Sequence, residues 1–146
     1  MAFTGNFMCT SFKVALLNGE MDFSSDTSQT FKIALFTSSA TLNASTTAYS
    51  TTNEISGTGY TAGGNTLTIS TNPTNATSGT TAFLSFSDTT WASSTITARG
   101  ALIYKSGGTN PSIAVLDFGA DKSSSNSTFK VEFPTASHTT EILRIG

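Results

Sequence analysis

Two strand-length runs, Ala101–Lys105 and Ser112–Phe118, flank the link Ser106-Gly107-Gly108-Thr109-Asn110-Pro111. Such a link reads as a hairpin, because Gly and Asn accept the left-handed backbone that a tight reversal requires. The two runs are therefore expected to pair antiparallel, which commits the chain to a sheet. The first run extends backwards, so that Ser94 to Lys105 reads as one long strand. Arg99-Gly100 interrupts it, and a Gly inside a strand pattern marks a bulge or bend.

Other segments carry the same period. Thr66 to Ser70 alternates apolar and polar residues and reads as a half-buried strand, ended by Asn72-Pro73-Thr74-Asn75. After the Ser78-Gly79 turn, Thr81 to Ser87 reads as a strand whose Ala82, Leu84 and Phe86 share one face. Asp88-Thr89-Thr90-Trp91 reads as a corner. Gly119 to Ser127 reads as a polar loop, and Thr128 to Phe133 as a strand with Phe129, Val131 and Phe133 on one face. Glu141 to Ile145 supplies a last strand.

Two related hexapeptides, Phe12-Lys13-Val14-Ala15-Leu16-Leu17 and Phe31-Lys32-Ile33-Ala34-Leu35-Phe36, part company through their flanks. The first follows Cys9-Thr10-Ser11, a helix N-cap neighbourhood, and stops at Asn18-Gly19, a helix C-cap, so residues 10–18 read as a short helix. The second runs into Thr-Ser-Ser-Ala turn residues and reads as a strand buried on both faces. From Thr41 to Gly64 four glycines, Gly57, Gly59, Gly63 and Gly64, fall within eight residues. So many glycines preclude a regular element, since each loses more backbone freedom on folding than any other residue. The expected fold is mainly β: a single domain of 146 residues, an antiparallel β-sandwich or jelly-roll-like barrel of about seven to eight strands over residues 30–146, preceded by the helix.

Composition narrows the function classes. Ser and Thr together make up roughly a third of the chain, and charged residues only 11%, against roughly 25% in an ordinary soluble domain. The seven Lys and Arg are scattered, with a net charge of −2, so no basic stripe is present to neutralise phosphates and nucleic-acid binding is disfavoured. No apolar stretch approaches the roughly 18 residues that cross a membrane, and the N-terminus lacks a signal-peptide pattern, so synthesis and folding in a cytoplasm are expected. With little self-repulsion and a hydroxyl-rich surface, self-association is expected as well. Cys9 is the only cysteine, which precludes an intrachain disulfide and a Cys/His zinc set.

No catalytic constellation is expected. His138 is the only histidine, in the loop Thr135-Ala136-Ser137-His138-Thr139-Thr140, and no nucleophile elbow, phosphate-cradling loop or His-Glu-x-x-His occurs. Asp22, Asp26, Asp88, Asp117 and Asp121 lack the spacing of an acid pair or calcium loop and read as solvated turn residues. The triplets at Asn43, Asn75 and Asn126 fit the glycosylation pattern as chance matches in a chain this rich in Ser and Thr. Trp91, the single tryptophan, reads either as a stacking platform for a ligand or as a packed corner residue with its N–H satisfied. No cofactor is implied.

Several blocks carry a resemblance. Cys9-Thr10-Ser11-Phe12-Lys13, the stretch Phe31 to Leu42, and above all Ala48-Tyr49-Ser50-Thr51-Thr52-Asn53-Glu54-Ile55-Ser56-Gly57-Thr58-Gly59-Tyr60-Thr61-Ala62-Gly63-Gly64 resemble a group of small tailed-bacteriophage virion structural proteins. Trp91, Thr97 to Tyr104 and Val115 to Gly119 are similar to its later blocks. The resemblance implies a virion location and a capsid decoration or cement protein, held as a homotrimer against the major capsid protein and stabilising the shell by bridging its subunits. The alternative is a tail- or fibre-associated module that binds host surface glycan or protein through Tyr49, Tyr60 and Trp91. The candidate interface comprises Tyr49, Gly57, Gly59, Tyr60, Gly63, Gly64 and Trp91, the glycines permitting close backbone approach and Tyr60 serving as an anchor. The other reading of the Gly57–Gly64 loop is an internal crossover packed on its own domain.

Overall fold

A computed structural model describes residues 3–75 and 79–146. Ala76 and Thr77 of the Asn75 triplet, and Ser78 of the expected Ser78-Gly79 turn, lie outside the described residues. The elements in chain order are β1 (Phe7–Met8), α1 (Thr10–Leu17), β2 (Thr30–Phe36), β3 (Asn65–Leu67), β4 (Ile69–Asn75), β5 (Ala82–Phe86), β6 (Thr89–Ser106), β7 (Ser112–Val131) and β8 (Leu143–Ile145). They form two antiparallel sheets, one of five strands in the order β1-β7-β6-β2-β3 and one of three in the order β4-β5-β8. The mainly β sandwich with a short N-terminal helix is thus the observed architecture.

The hairpin signal is the spine of this fold. Leu102 pairs with Val115 and Tyr104 with Ser112, and on the other side of β6 the full length of β2 is paired from Thr30 to Phe36. β2 lies between β6 and β3, which explains its unbroken run Ile33–Phe36, buried on both faces. The sheets meet through Phe31 of β2 and Phe86 of β5, with ring centroids 6.5 Å apart, while Phe23 stacks on Phe31 at 4.5 Å. Phe86 in turn packs on Phe133 at 5.7 Å.

An eight-residue helix is marginal in isolation, so packing and end contacts hold α1. Phe12 and Ala15 are buried beneath it. Its C-terminus closes as the Asn18-Gly19 pair implies: the Gly19 N–H donates to the Leu16 carbonyl at 3.1 Å, the Glu20 N–H donates to the Ala15 carbonyl at 2.9 Å, and Gly19 takes a positive φ. The N-terminus differs from expectation, because Cys9 occupies the cap position with no side-chain cap bond. Ser11 instead turns its hydroxyl towards Thr46 and Ser112.

Several boundaries are corrected. Thr66 to Ser70 is not one strand: β3 belongs to the large sheet and β4 to the small one, and Thr68 carries the chain between them. Pro73 does not end β4, because β4 is an edge strand whose register slips between Thr71 and Thr74, and an edge bulge needs no donor from proline. Of the expected Asp88–Trp91 corner only Asp88 lies in the link between β5 and β6, while Thr89–Trp91 start β6, and the Gly119–Ser127 loop is the middle of β7. β7 is exposed along that stretch except at the half-buried Ser124, so no apolar alternation marks it. Cross-strand hydroxyl contacts hold it instead, Thr97 to Ser123 and Ser94 to Ser124, both at 2.7 Å. The bend expected at Arg99-Gly100 is present. Ala98 pairs with Lys122 and Gly100 with Asp117, so that Arg99 alone faces Phe118–Asp121. Arg99 spans this bulge to Asp117 at 3.2 Å, and Asp117 is half-buried in β7, not a solvated turn residue.

Candidate functional site

The long excursion between β2 and β3 contains the most specific block of the sequence, and its course follows from an unfinished sheet edge. β3 pairs with β2 only from Phe31 to Ile33. Beyond that point the outer edge of β2 would leave buried backbone groups without partners, a costly arrangement. The excursion supplies them. The Leu35 carbonyl accepts the Ile55 N–H at 3.0 Å, the Leu35 N–H donates to the Tyr60 hydroxyl at 2.9 Å, and Phe36 bridges to Glu54.

The same excursion touches the β6–β7 ribbon at two places. At the hairpin turn the Tyr49 N–H donates to Asn110 and the Ser112 N–H to Thr47, strapping it. Further along β6 the Thr95 N–H donates to Thr58 at 3.0 Å. Gly57 lies against Thr95 and Gly59 against Ser94, so close that a Cβ on Gly59 would stand 2.9 Å from the Ser94 Cα. Gly64, with φ +70°, lies directly on the Ile33 carbonyl. The close approaches these glycines permit are to the chain's own strands, the internal-crossover arrangement.

Glu54 is the hub. It is the only charged residue between Lys32 and Asp88. One carboxylate oxygen accepts the Tyr49 hydroxyl at 2.7 Å; the other accepts the Tyr60 hydroxyl and the Gly63 N–H, both at 2.7 Å. The Gly63 carbonyl accepts the Tyr104 hydroxyl at 2.8 Å, and Tyr104 stacks on Tyr49 with centroids 4.5 Å apart and planes within 10°. Tyr49, Tyr60 and Gly63 therefore meet in one network. Trp91 joins its flank through a 6.0 Å ring contact with Tyr60.

Burial shifts all three tyrosines upward. For Tyr49 and Tyr60 the desolvated ring is the first cause, and the hydrogen-bonded Glu54 carboxylate adds to it; for Tyr104 burial is followed by the Glu54 charge. These are the only three tyrosines in the chain. Because folding holds them neutral, they contribute stability that is complete below about pH 10, the unfolded phenol value, and that declines as pH rises above it. Ultraviolet titration of the folded protein is expected to give its phenolate signal at higher pH than the chain in denaturant, which titrates near 10. A native curve midway near pH 10 would contradict the network.

Trp91 is 4% exposed, so its ring is not presented to solvent for stacking. It packs between Tyr60 and Phe129 in β6, and its indole N–H has no partner among the described residues, contrary to the satisfied N–H expected. Glu141, 2% exposed in the segment before β8, likewise keeps one carboxylate oxygen unpartnered. Sequence reasoning passed over Glu54. Its signal was a solitary charge among tyrosines and glycines in a long uncharged stretch. His138 lies half-buried in its loop. Among the described residues no three His, Cys, Asp or Glu converge as metal ligands, and no helix is long and apolar enough to cross a membrane.

No family model matches the chain, and neither a curated protein sequence nor a solved structure does.

Proposed function

We propose that this chain is a virion structural protein of a tailed bacteriophage, a self-associating decoration protein that binds the outer shell and stabilises it by bridging copies of the major capsid protein. The observation that carries the reading is the outer edge of β7. β1 covers that edge only opposite Ala114 and Val115, so the backbone groups from Phe118 to Val131 have no neighbouring strand there among the described residues. Over Gly119–Thr128 the strand is exposed at every residue but the half-buried Ser124, and it is rich in serine. Such an edge accepts an extended segment from another protein through main-chain hydrogen bonds. Repeating a modest contact at several shell subunits multiplies affinity through effective concentration.

The resemblance of the Ala48–Gly64 block supports the phage setting. The engagement of Tyr49, Tyr60 and Trp91 within the chain favours decoration over a glycan-binding tail module, which would need aromatic faces free for sugar stacking. Cryo-microscopy of the particle tests the reading. Density for this chain spread over the whole shell is expected, with an added strand beside β7; density confined to the tail would overturn it.

A further inference from the structure

Glu141 is the only charged residue buried among the described residues. It is 2% exposed, and one oxygen of its carboxylate is sealed from solvent without a hydrogen-bond partner. Buried charges in folded proteins are paired, because an unpaired one gives up its hydration for nothing. Among the described residues no lysine or arginine forms an ion pair with this carboxylate. Arg144 donates instead to the Glu141 backbone carbonyl, at 2.6 Å. The described chain therefore supplies this carboxylate no counter-charge.

Glu141 lines a cavity of about 290 Å³, next to the roughly 300 Å³ at which small-ligand pockets begin. The cavity takes residues from β1, the outermost strand of the larger sheet, and from β8, the outermost strand of the smaller one. Its lining is graded from rim to floor. Asn6 and Arg144 are exposed, Phe7, Met8 and Ile142 are half-buried, and Glu141 is buried. The side-chain oxygen of Asn6 accepts the Asp117 N–H at 2.8 Å, which fixes the amide and leaves its own N–H groups available. The Arg144 guanidinium has N–H groups beyond the one on the Glu141 carbonyl.

We propose that this cavity is a binding site for a small α-amino acid with an apolar side chain. The ligand's ammonium pairs with the Glu141 carboxylate at the floor and its carboxylate meets Arg144 and the Asn6 amide at the rim. Its side chain lies against Phe7, Met8 and Ile142. A simple cation would be repelled by Arg144, and a simple anion would face Glu141. A ligand that carries both charges on one carbon answers both groups at once. The site stands apart from the shell reading, since none of its residues belongs to the open edge of β7.

Amide chemical shifts of the isotope-labelled full chain test the site, with L-leucine titrated to about 20 mM, above the millimolar dissociation constant of so small a ligand. Saturable shifts are expected at Phe7, Met8, Ile142 and Arg144, while Leu102 in the central sheet stays unmoved. Isoamylamine, which is leucine without its carboxylate, is expected to bind at least about tenfold more weakly. Isocaproate, which is leucine without its ammonium, is expected not to bind. Arg144→Ala is expected to abolish leucine's advantage over the amine. Glu141→Gln is expected to abolish the leucine shifts and to unfold at the same temperature or higher, because it removes an unpaired buried charge. No shifts at the four amides, equal binding of isocaproate and leucine, or an undiminished response in Glu141→Gln would overturn the site. Should Glu141→Gln fail to fold, the exposed Arg144 still decides: a leucine advantage that survives Arg144→Ala would overturn it.

Discussion

Gly64→Ala is expected to be the most damaging single-methyl change in this protein, costing at least about 4 kcal/mol of the roughly 5–15 kcal/mol that hold a domain folded. A Cβ at this position would be driven into the Ile33 carbonyl and the Ala34 Cα, both on the central strand β2. Neither can retreat, because β2 is paired with β6 along its whole length. The informative control is Gly19→Ala at the end of α1. Gly19 has φ +71°, matching the +70° of Gly64, but nothing stands within 4 Å of its would-be Cβ. It therefore carries the conformational penalty alone, about 1 kcal/mol. Urea denaturation of the two variants separates the effects, and equal losses would show that the crossover does not press on β2.

Glu54→Ala is expected to lower stability by about 3 kcal/mol, or roughly 6–12 °C in melting temperature for a domain of this size. Three donors lose their acceptor together: two tyrosine hydroxyls and the Gly63 N–H. The loss is less than three full hydrogen bonds because Glu54 is half-buried and water can replace part of its role. Tyr60 also receives the Leu35 N–H, so the damage extends to the β2 edge. The expected signature goes beyond a lower melting point. Amide exchange at Leu35, Ile55 and Gly63 should quicken while amides of the β6–β7 hairpin near Leu102 and Val115 keep their protection. Uniform loss of protection would mean that the excursion is part of the global folding unit, not strapped onto it.

The elements legible in the sequence were those whose signal is local. Asn18-Gly19 ends α1 because the αL backbone demands such a residue, and the Gly107-Gly108 link closes the hairpin for the same reason. Phe129 and Val131 flank the exposed Lys130 at the end of β7, as a strand with one dry face must, and the same alternation runs on to the buried Phe133 just past the strand. The illegible parts were those whose stabilisation comes from a distant segment. Ser123 and Ser124 are strand residues only because Thr97 and Ser94 face them across the ribbon. Pro73 is tolerated because its strand is an edge, a property of sheet order and not of neighbouring residues.

The candidate site shows the same division. The Gly57–Gly64 loop announces itself as a place of close backbone approach, yet glycine spacing does not name what is approached. Only the tertiary structure reveals that Thr95, Ser94 and Ile33 are the neighbours and that Glu54 gathers Tyr49, Tyr60 and Gly63. By itself the sequence determined a β-rich chain with a short helix, a central hairpin and a glycine-rich excursion, since turn chemistry and apolar alternation act over a few residues. The tertiary structure alone decided that β2 lacks a full partner beyond Ile33 and that the excursion completes its edge. Hydrogen-bond satisfaction is settled between segments far apart in the chain, and local pattern carries no record of it.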